Sequence, residues 1–378
     1  MQTIRICTLL VTRLCNLNCI YCFEKHKDFP GQKRMDFETA TKILTKEFEA
    51  FGAICKEGER FAVEFFGGEP LLNFKLIKQV YDWVKLQNLQ FPYIFQITTN
   101  GTLLTDEVRS WLTERKDDFR VILSVDGDEM MQRDNRGCSI EQIPIVFVRD
   151  TWPKSYFKMT LSRETLPNYA KGVISLAEHG FRVTSTLAEG IEWNREEALV
   201  YRAQLTLIAE YLMAHPEIKP EHPFDYIYKN LLIDNAPIVK NCGIGTNIAT
   251  YDTDGRQYPC HLLLPIVHGR DEYDKIKALD FTDPATLVTT ECKECPIIHI
   301  CRTCYGYNYL NRSGLADRDK SRCKMYLTEA QVVSTFKINY LVAKQEKSPL
   351  SDDELLMLKA AVTCYKKIKD ITIDDFDL

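Results

Sequence analysis

The sequence predicts an α/β fold, followed by a cysteine-rich segment and a helical tail. Three observations carry this. Strand-like and helix-like stretches alternate six times between Ile4 and about Met213. Seven of the fourteen cysteines then fall between Cys242 and Cys323. Beyond Cys323 the sequence returns to helix. Six βα units imply a parallel sheet with helices packed outside it, as an open doubly wound sheet or a partial barrel.

In order along the chain, "IRICTLLVT" is a β-rich run. "DFETATKILTKEFEAF" has helical spacing and begins at Asp36, an N-cap residue type. "FAVEFF" is the second strand and "FKLIKQVYDWVKLQ" its helix. "YIFQIT" and "TDEVRSWLTER" repeat the pair, with Thr105 as N-cap. "FRVILSV" is the fourth strand, and "DGDEMMQRDNRGCS" after it reads as loop. "YFKMTLS" is the fifth, with the helix "PNYAKGVISLAEHG" closing at Gly180. "FRVTSTL" and "NREEALVYRAQLTLIAEYLMAH" complete the series. "HPEIKPEHP" reads as a linker, and the cysteine-rich part after it carries turn signals such as "TDGRQYP". In the tail, Ser351 with Glu354 three residues on is a capping signature. The expected divisions are 1–220, 221–330 and 331–378.

With 378 residues the chain is long enough for two domains, and its 45% apolar content can fill a large core. Net charge is −5 without a long basic run, so nothing points to nucleic acid. The opening residues lack a signal-peptide core and cleavage site. No apolar run reaches the length of a membrane span. The expectation is a soluble cytoplasmic protein with no membrane partner.

Fourteen cysteines are too many for such a protein unless they bind metal or react, because disulfides are rare in a reducing cytosol. Cys7, Cys55, Cys138 and Cys364 stand alone and are expected to be small buried apolar residues. Cys15, Cys19 and Cys22 fall within eight residues just after the first strand. "GGEP", "TNG" and "SVDG" follow strands two, three and four. In either α/β architecture the carboxyl ends of the strands carry function, so four patches at one rim imply one site. Each iron of a [4Fe-4S] cube takes an outside ligand, so three thiolates leave one iron open for something else. Taken alone the triplet could also be half a zinc site.

The stretch "CNLNCIYC", with Tyr21 just before the third cysteine, resembles the signature of the radical S-adenosylmethionine (SAM) enzymes. The resemblance implies a partial (βα)6 TIM-type barrel whose SAM-binding [4Fe-4S] cluster is held by Cys15, Cys19 and Cys22. It implies that the open iron chelates SAM, and that one electron yields a 5'-deoxyadenosyl radical able to remove a substrate hydrogen. Gly67, Gly68 and Glu69 of "FFGGEP" would then meet the SAM amino group, with Glu69 as counter-charge. Thr98 and Asn100 would lie near SAM, and Ser124 and Asp126 would serve the ribose hydroxyls. Arg136 would pair with the SAM carboxylate as a guanidinium–carboxylate fork.

"CKECPIIHICRTC" alone reads as a zinc half-site. After the N-terminal motif, its order resembles the SPASM extension, which carries one or two auxiliary [4Fe-4S] clusters. Carried over by order, Cys292, Cys295, Cys301 and Cys323 would hold an outer cluster, and Cys242, Cys260 and Cys304 an inner one. Two departures stand out: "CRTC" has two intervening residues where the family usually has three, and seven cysteines are one short of two full clusters. An open iron, or His261, would complete the inner set. The SPASM group implies a peptide or protein substrate and a flavodoxin- or ferredoxin-type electron donor. One branch, the anaerobic sulfatase-maturing enzymes, usually has aspartate where this chain has His261, a residue able to act as a base. "PCH" and "CRTCYGYN" look more like maturases of ribosomally made peptides, which form thioether or other cross-links or epimerise residues. For an epimerase, Cys138 is the candidate hydrogen donor. The first cluster motif comes too early for a leader-recognition domain ahead of it, and the tail is expected to pack on the barrel. Two other classes compete: a zinc-binding interaction protein and a plain electron carrier. Neither accounts for the triplet together with GGEP and SVDG.

Overall fold

The computed structural model describes residues 4–225, 229–232, 240, 242–312 and 314–376. Its strands are β1 (Ile4–Thr12), β2 (Arg60–Gly67), β3 (Tyr93–Thr99), β4 (Phe119–Leu123), β5 (Phe157–Leu161), β6 (Val183–Leu187), β7 (Ile248–Tyr251) and β8 (Gln257–Tyr258). Helices α1 (Phe37–Gly52), α2 (Phe74–Leu86), α3 (Asp106–Thr113), α4 (Glu129–Arg136), α5 (Ile145–Thr151), α6 (Tyr169–Glu178) and α7 (Arg195–Ala214) fall among the first six strands and just after them. Short helices α8 (Pro265–His268), α9 (Tyr273–Lys277), α10 (Thr290–Lys293) and α11 (Tyr305–Arg312) follow, then the long α12 (Cys323–Gln345) and α13 (Asp352–Ile368). The six strands and the five helices expected among them occur in the predicted order.

The chain forms two compact units that interleave along the sequence. One comprises the residues up to Val125 with Arg136–Phe157 and Gly243–Thr282; the other comprises Asp126–Asn135, Lys158–Cys242 and Asp283 onward. In the first unit β1 to β4 pair side by side in parallel, and β7 adds in parallel to the other edge of β1. β8 closes that edge antiparallel to β7. β1 lies inside this sheet, and Cys7 to Thr12 along it are all buried. Leu9, Leu10 and Val11 are fully buried, each contributing about 1.5–3 kcal/mol of transfer free energy. Phe65, Phe95 and Phe119 on β2, β3 and β4 stack in series, with centroids 6.0 and 5.1 Å apart.

The second unit holds β5 and β6, which pair with each other in their own sheet, together with α7, α12 and α13. Asn194 and Glu197 form a reciprocal capping box at the start of α7.

Most helix caps match the sequence reading. Asp36 accepts from Thr39 N, Thr105 from Val108 N, and Ser351 and Glu354 close a capping box. Gly180 takes φ 76° two residues beyond α6, a conformation that suits glycine. Three features differ from expectation. "DGDEMMQRDNRGCS" is not all loop: it contains α4, whose inward residues include the polar Gln132 and Asn135, so no apolar stripe reveals it. α5 and β7 were not foreseen, each being too short for a clear period. Of the lone cysteines, Cys7, Cys138 and Cys364 are buried, but Cys55 is only half-buried. Among the described residues no helix is long and apolar enough to cross a membrane.

Candidate active site

The first unit gathers three of the sequence patches at the carboxyl end of its sheet. The cysteine loop leaves β1 and lies directly on the glycine pair that leaves β2. Gly68 N donates to Thr12 O at 3.1 Å, and Glu69 N to Leu14 O at 2.8 Å. The contact is close enough to require glycine. A Cβ on Gly68 would stand 2.4 Å from Leu14 O and 2.9 Å from the Cys15 Cβ. From the β3 end, Asn100 Nδ2 donates to Asn16 Oδ1 at 3.0 Å, inside the cysteine loop. Leu17 N points at Cys15 Sγ at 3.5 Å. All three thiols of the triplet are partly exposed. Burial pushes the Cys15 and Cys22 thiols up, which favours the neutral form until a metal takes the proton's place.

Glu69 is 1% exposed. Its Oε1 accepts from Leu71 N at 3.1 Å and Thr99 Oγ1 at 2.7 Å, and its Oε2 accepts from Asn100 N at 2.8 Å. The carboxylate therefore ties the GGEP loop to the β3 tip. Burial raises its pKa to about 7 against these three lowering hydrogen bonds. Also on β3, Thr98 Oγ1 is buried without a hydrogen-bond partner. Ser124 is half-buried at the end of β4, and its N–H donates to Thr99 O at 3.0 Å. The Arg136 guanidinium lies 5.4 Å from the centre of the Tyr21 ring, beside the third cysteine. Its charge also favours the Cys22 thiolate.

Asp126 belongs to the second unit and is fully buried. Its Oδ1 accepts from Thr160 N at 2.8 Å and its Oδ2 from Asn135 Nδ2 at 3.2 Å. These bonds fasten the turn after β4 to β5. His261 lies in the first unit, with its ring 5.3 Å from Phe23 and 4.9 Å from Phe66. Phe23 follows Cys22 and Phe66 precedes Gly67, so the imidazole stands beside the cysteine loop.

The second unit assembles four thiols. Burial pushes the Cys295 thiol up, and Cys301 and Cys292 push it further. Cys323 is raised to about 12 by burial, then by Cys301, Cys295 and Cys292. The quartet is anchored by Val288 and Ile298, which pack with Cys292 and Cys295. Cys304 lines a small cavity with Cys301, Cys323 and Arg318. Cys242 is exposed in the second unit, while Cys260 lies in the first, its Sγ accepting from Leu262 N at 3.4 Å.

Among the described residues, no three His, Cys, Asp or Glu side chains converge on a single ion position. A zinc site needs such convergence. A cube does not, since each thiolate takes its own iron. The all-thiol donor sets and the orphaned Thr98 hydroxyl therefore fit iron–sulfur clusters and a polar cofactor.

Several residues here carry no sequence signal. Arg13, 1% exposed, pairs with Asp252 through Nε at 3.1 Å and Nη2 at 2.6 Å, and its Nη1 reaches Pro30 O at 3.2 Å. It pins the far end of the cysteine loop to the residue after β7. Arg318 of the second unit was likewise outside every motif. Both stand a few residues from a cysteine, the one hint available.

Comparison with known proteins gives the following. Residues 9–143 match the radical SAM superfamily. An uncharacterised protein of Methanocaldococcus jannaschii is 35% identical over 122 residues, 32% of this chain and 38% of that protein. The radical SAM cyclopropyl synthase TigE of Paramaledivibacter caminithermalis is 26% identical over 194 residues, 47% of this chain and 40% of that enzyme. The matched stretches thus span well under half of these relatives. Among solved structures, anSMEcpe with bound AdoMet superposes with a TM-score of 0.64 at 16% identity, covering 91% of this chain and 100% of that one. Streptococcus suis SuiB bound to precursor peptide SuiA gives 0.55 at 15%, covering 85% and 76%. At these identities the structural likeness speaks for the fold alone. The motif, its seat on the glycine pair and the match over residues 9–143 together identify this part of the chain as a radical SAM domain.

Proposed function

We propose that this protein is a radical SAM peptide maturase, with Cys15, Cys19 and Cys22 holding the SAM-binding [4Fe-4S] cluster. The observation that carries it is the cysteine loop seated on Gly67 and Gly68, with the unpartnered Thr98 hydroxyl at the same end of the sheet. When bound, the cluster and SAM supply a 5'-deoxyadenosyl radical for hydrogen abstraction. The residues do the rest. Gly67 and Gly68 would meet the amino group of SAM, and Thr98 Oγ1 would be a hydrogen-bonding group near it. Glu69 and Asn100 hold the two loops in register. Ser124 serves the ribose, and Asp126 fixes the turn that follows. Arg136 stacks on Tyr21 and pairs with the carboxylate of SAM. His261, held between Phe23 and Phe66, would serve as a base toward the substrate or as a cluster ligand.

Cys292, Cys295, Cys301 and Cys323 hold an auxiliary cluster in a SPASM-like segment, supported by their mutual effect on one another's thiols. Assignment of Cys242, Cys260 and Cys304 to a second auxiliary cluster rests on sequence order. A ribosomally made peptide as substrate is supported by the precursor peptide bound to SuiB; a thioether or other cross-link as product rests on the sequence resemblance. A second reading, sulfatase maturation, is favoured by the higher TM-score of anSMEcpe and opposed by His261 in place of aspartate. The electron donor is a flavodoxin or ferredoxin.

The deciding experiment is anaerobic reconstitution with iron and sulfide, followed by SAM and dithionite. About twelve irons per chain with 5'-deoxyadenosine formed supports three cubes and radical chemistry. Zinc in place of iron and no deoxyadenosine overturns it. Peptides carrying cysteine at varied positions, assayed for a loss of two hydrogens, then separate cross-linking from formylglycine formation, which also changes sulfur content.

A further inference from the structure

We propose that Arg318 is the counter-charge of the cysteine quartet and raises the reduction potential of the cluster held there. This rests on the auxiliary-cluster reading above.

Arg318 is 4% exposed, so its charge is out of water. A buried guanidinium needs an anionic or strongly accepting partner, since isolated burial of a charge is costly. The charged residues around it have already found theirs. Asp319 pairs with Arg312 at 3.3 Å, Lys320 with Glu291, and Arg322 with Glu189 at 2.6 Å. Arg318 has no carboxylate partner among the described residues, and its Nε makes no hydrogen bond. It faces sulfur instead. It shares the wall of a small cavity with Cys301, Cys304 and Cys323. Its guanidinium also hydrogen-bonds the Cys301 sulfur.

A permanent cation against neutral thiols is a mismatch; against metal-held thiolates it is a match. Arginine stays charged at any ordinary pH, so the positive charge is present in both oxidation states of a cluster. A cation beside a cluster favours the state with one more electron. Net charge and hydrogen bonds to sulfur are the levers by which a protein sets such potentials.

The test uses the full chain with Cys15→Ala, Cys19→Ala and Cys22→Ala, so that only auxiliary clusters remain. Iron is counted after reconstitution, and the midpoint potential is read by EPR during a redox titration. Arg318→Gln is expected to lower the midpoint by about 59 mV, a tenfold change in the one-electron equilibrium. Arg318→Lys keeps the charge and should stay near the parent. Equal potentials in all three forms overturn the proposal while leaving the cluster reading intact. A parent that holds no iron removes the auxiliary cluster itself, and the proposal with it. Loss of iron in Arg318→Gln but not in Arg318→Lys supports a requirement for the charge. Loss in both overturns it.

Discussion

The triplet and the quartet are both cysteine sites, yet they are built by opposite means. The triplet loop is held by hydrogen bonds of backbone and side chain. Thr12 and Leu14 carbonyls receive Gly68 and Glu69 amides, Asn100 reaches Asn16, and Arg13 is locked to Asp252. None of these bonds involves a thiol. The quartet lies among short pieces: the four-residue α10, a three-residue turn at Ile298–Ile300, and the start of α12. Its local core includes Val288 and Ile298, with Leu287, Ile297 and Ile300 buried nearby in sequence. If these cysteines share a metal as proposed, that metal would add to what holds them together. A site meant to bind and release SAM gains from being preformed, because a fixed geometry need not be ordered at each turnover. A site that never exchanges its metal can let that metal do the folding.

The largest effect should come from the triplet. Replacing Cys15, Cys19 and Cys22 by alanine is expected to reduce 5'-deoxyadenosine to background and remove about four irons. The fold should persist, with a thermal midpoint within a few degrees of the parent, because the loop's anchors are untouched. Unfolding of the sheet in this variant would break the contrast.

Removing the quartet should do the reverse. With Cys292, Cys295, Cys301 and Cys323 as alanine, or after chelation of the reconstituted protein, amides between Val288 and Cys323 should lose protection from hydrogen exchange. Those of β1 to β4 should keep theirs. Uniform loss across both units would show that the metal sites support the whole chain rather than one segment.

How much of this could be read beforehand follows the range of the forces involved. Asp36, Thr105 and Ser351 act on backbone groups three residues away, so their caps are visible in sequence. The cysteine spacing and GGEP were visible for the same reason, being local. α4 was hidden because the residues it buries include Gln132 and Asn135, which look like surface. β7 was hidden because four residues have no measurable period, and its place beside β1 depends on a partner more than two hundred residues away. In "ITTN" the resemblance put Thr98, not Thr99, near the ligand. Alternation along β3 sends Thr99 to Glu69 and leaves the Thr98 hydroxyl open. Arg13 and Arg318 are defined by what surrounds them in space, and no spacing rule reaches that.

Gly68→Ala sharpens the contrast at intermediate size. The added Cβ would meet Leu14 O at 2.4 Å and Leu14 C at 2.6 Å, and both are backbone atoms that cannot rotate away. The two loops must separate, at a cost of about 1–3 kcal/mol. Deoxyadenosine formation should fall by roughly a hundredfold, as expected for a displacement near 1 Å. Iron content should change little, since the thiols keep their loop. A variant with normal SAM cleavage would mean that the glycine seat is not needed to position the cofactor.

The smallest effect is a pH dependence carried by Glu69. Its folded pKa is raised to about 7 by burial, above the ordinary value of 4.5. Between those values the folded state binds more protons than the unfolded one. Stability of the metal-free protein therefore falls as pH rises from about 4.5 to 7, and this contribution then levels off above 7. The full span is at most about 3 kcal/mol for a single group, at 1.36 kcal/mol per pKa unit. Glu69→Gln cannot ionise, so its stability should be flatter across that window. It would be lower overall at acid pH, since the amide nitrogen must face one of the donors from Leu71, Thr99 or Asn100. Urea midpoints of both proteins at pH 5 and pH 7.5 measure the difference in slope. An unchanged slope would mean that the three hydrogen bonds hold the carboxylate ionised throughout, and that Glu69 stabilises the two loops as an anion rather than as an acid.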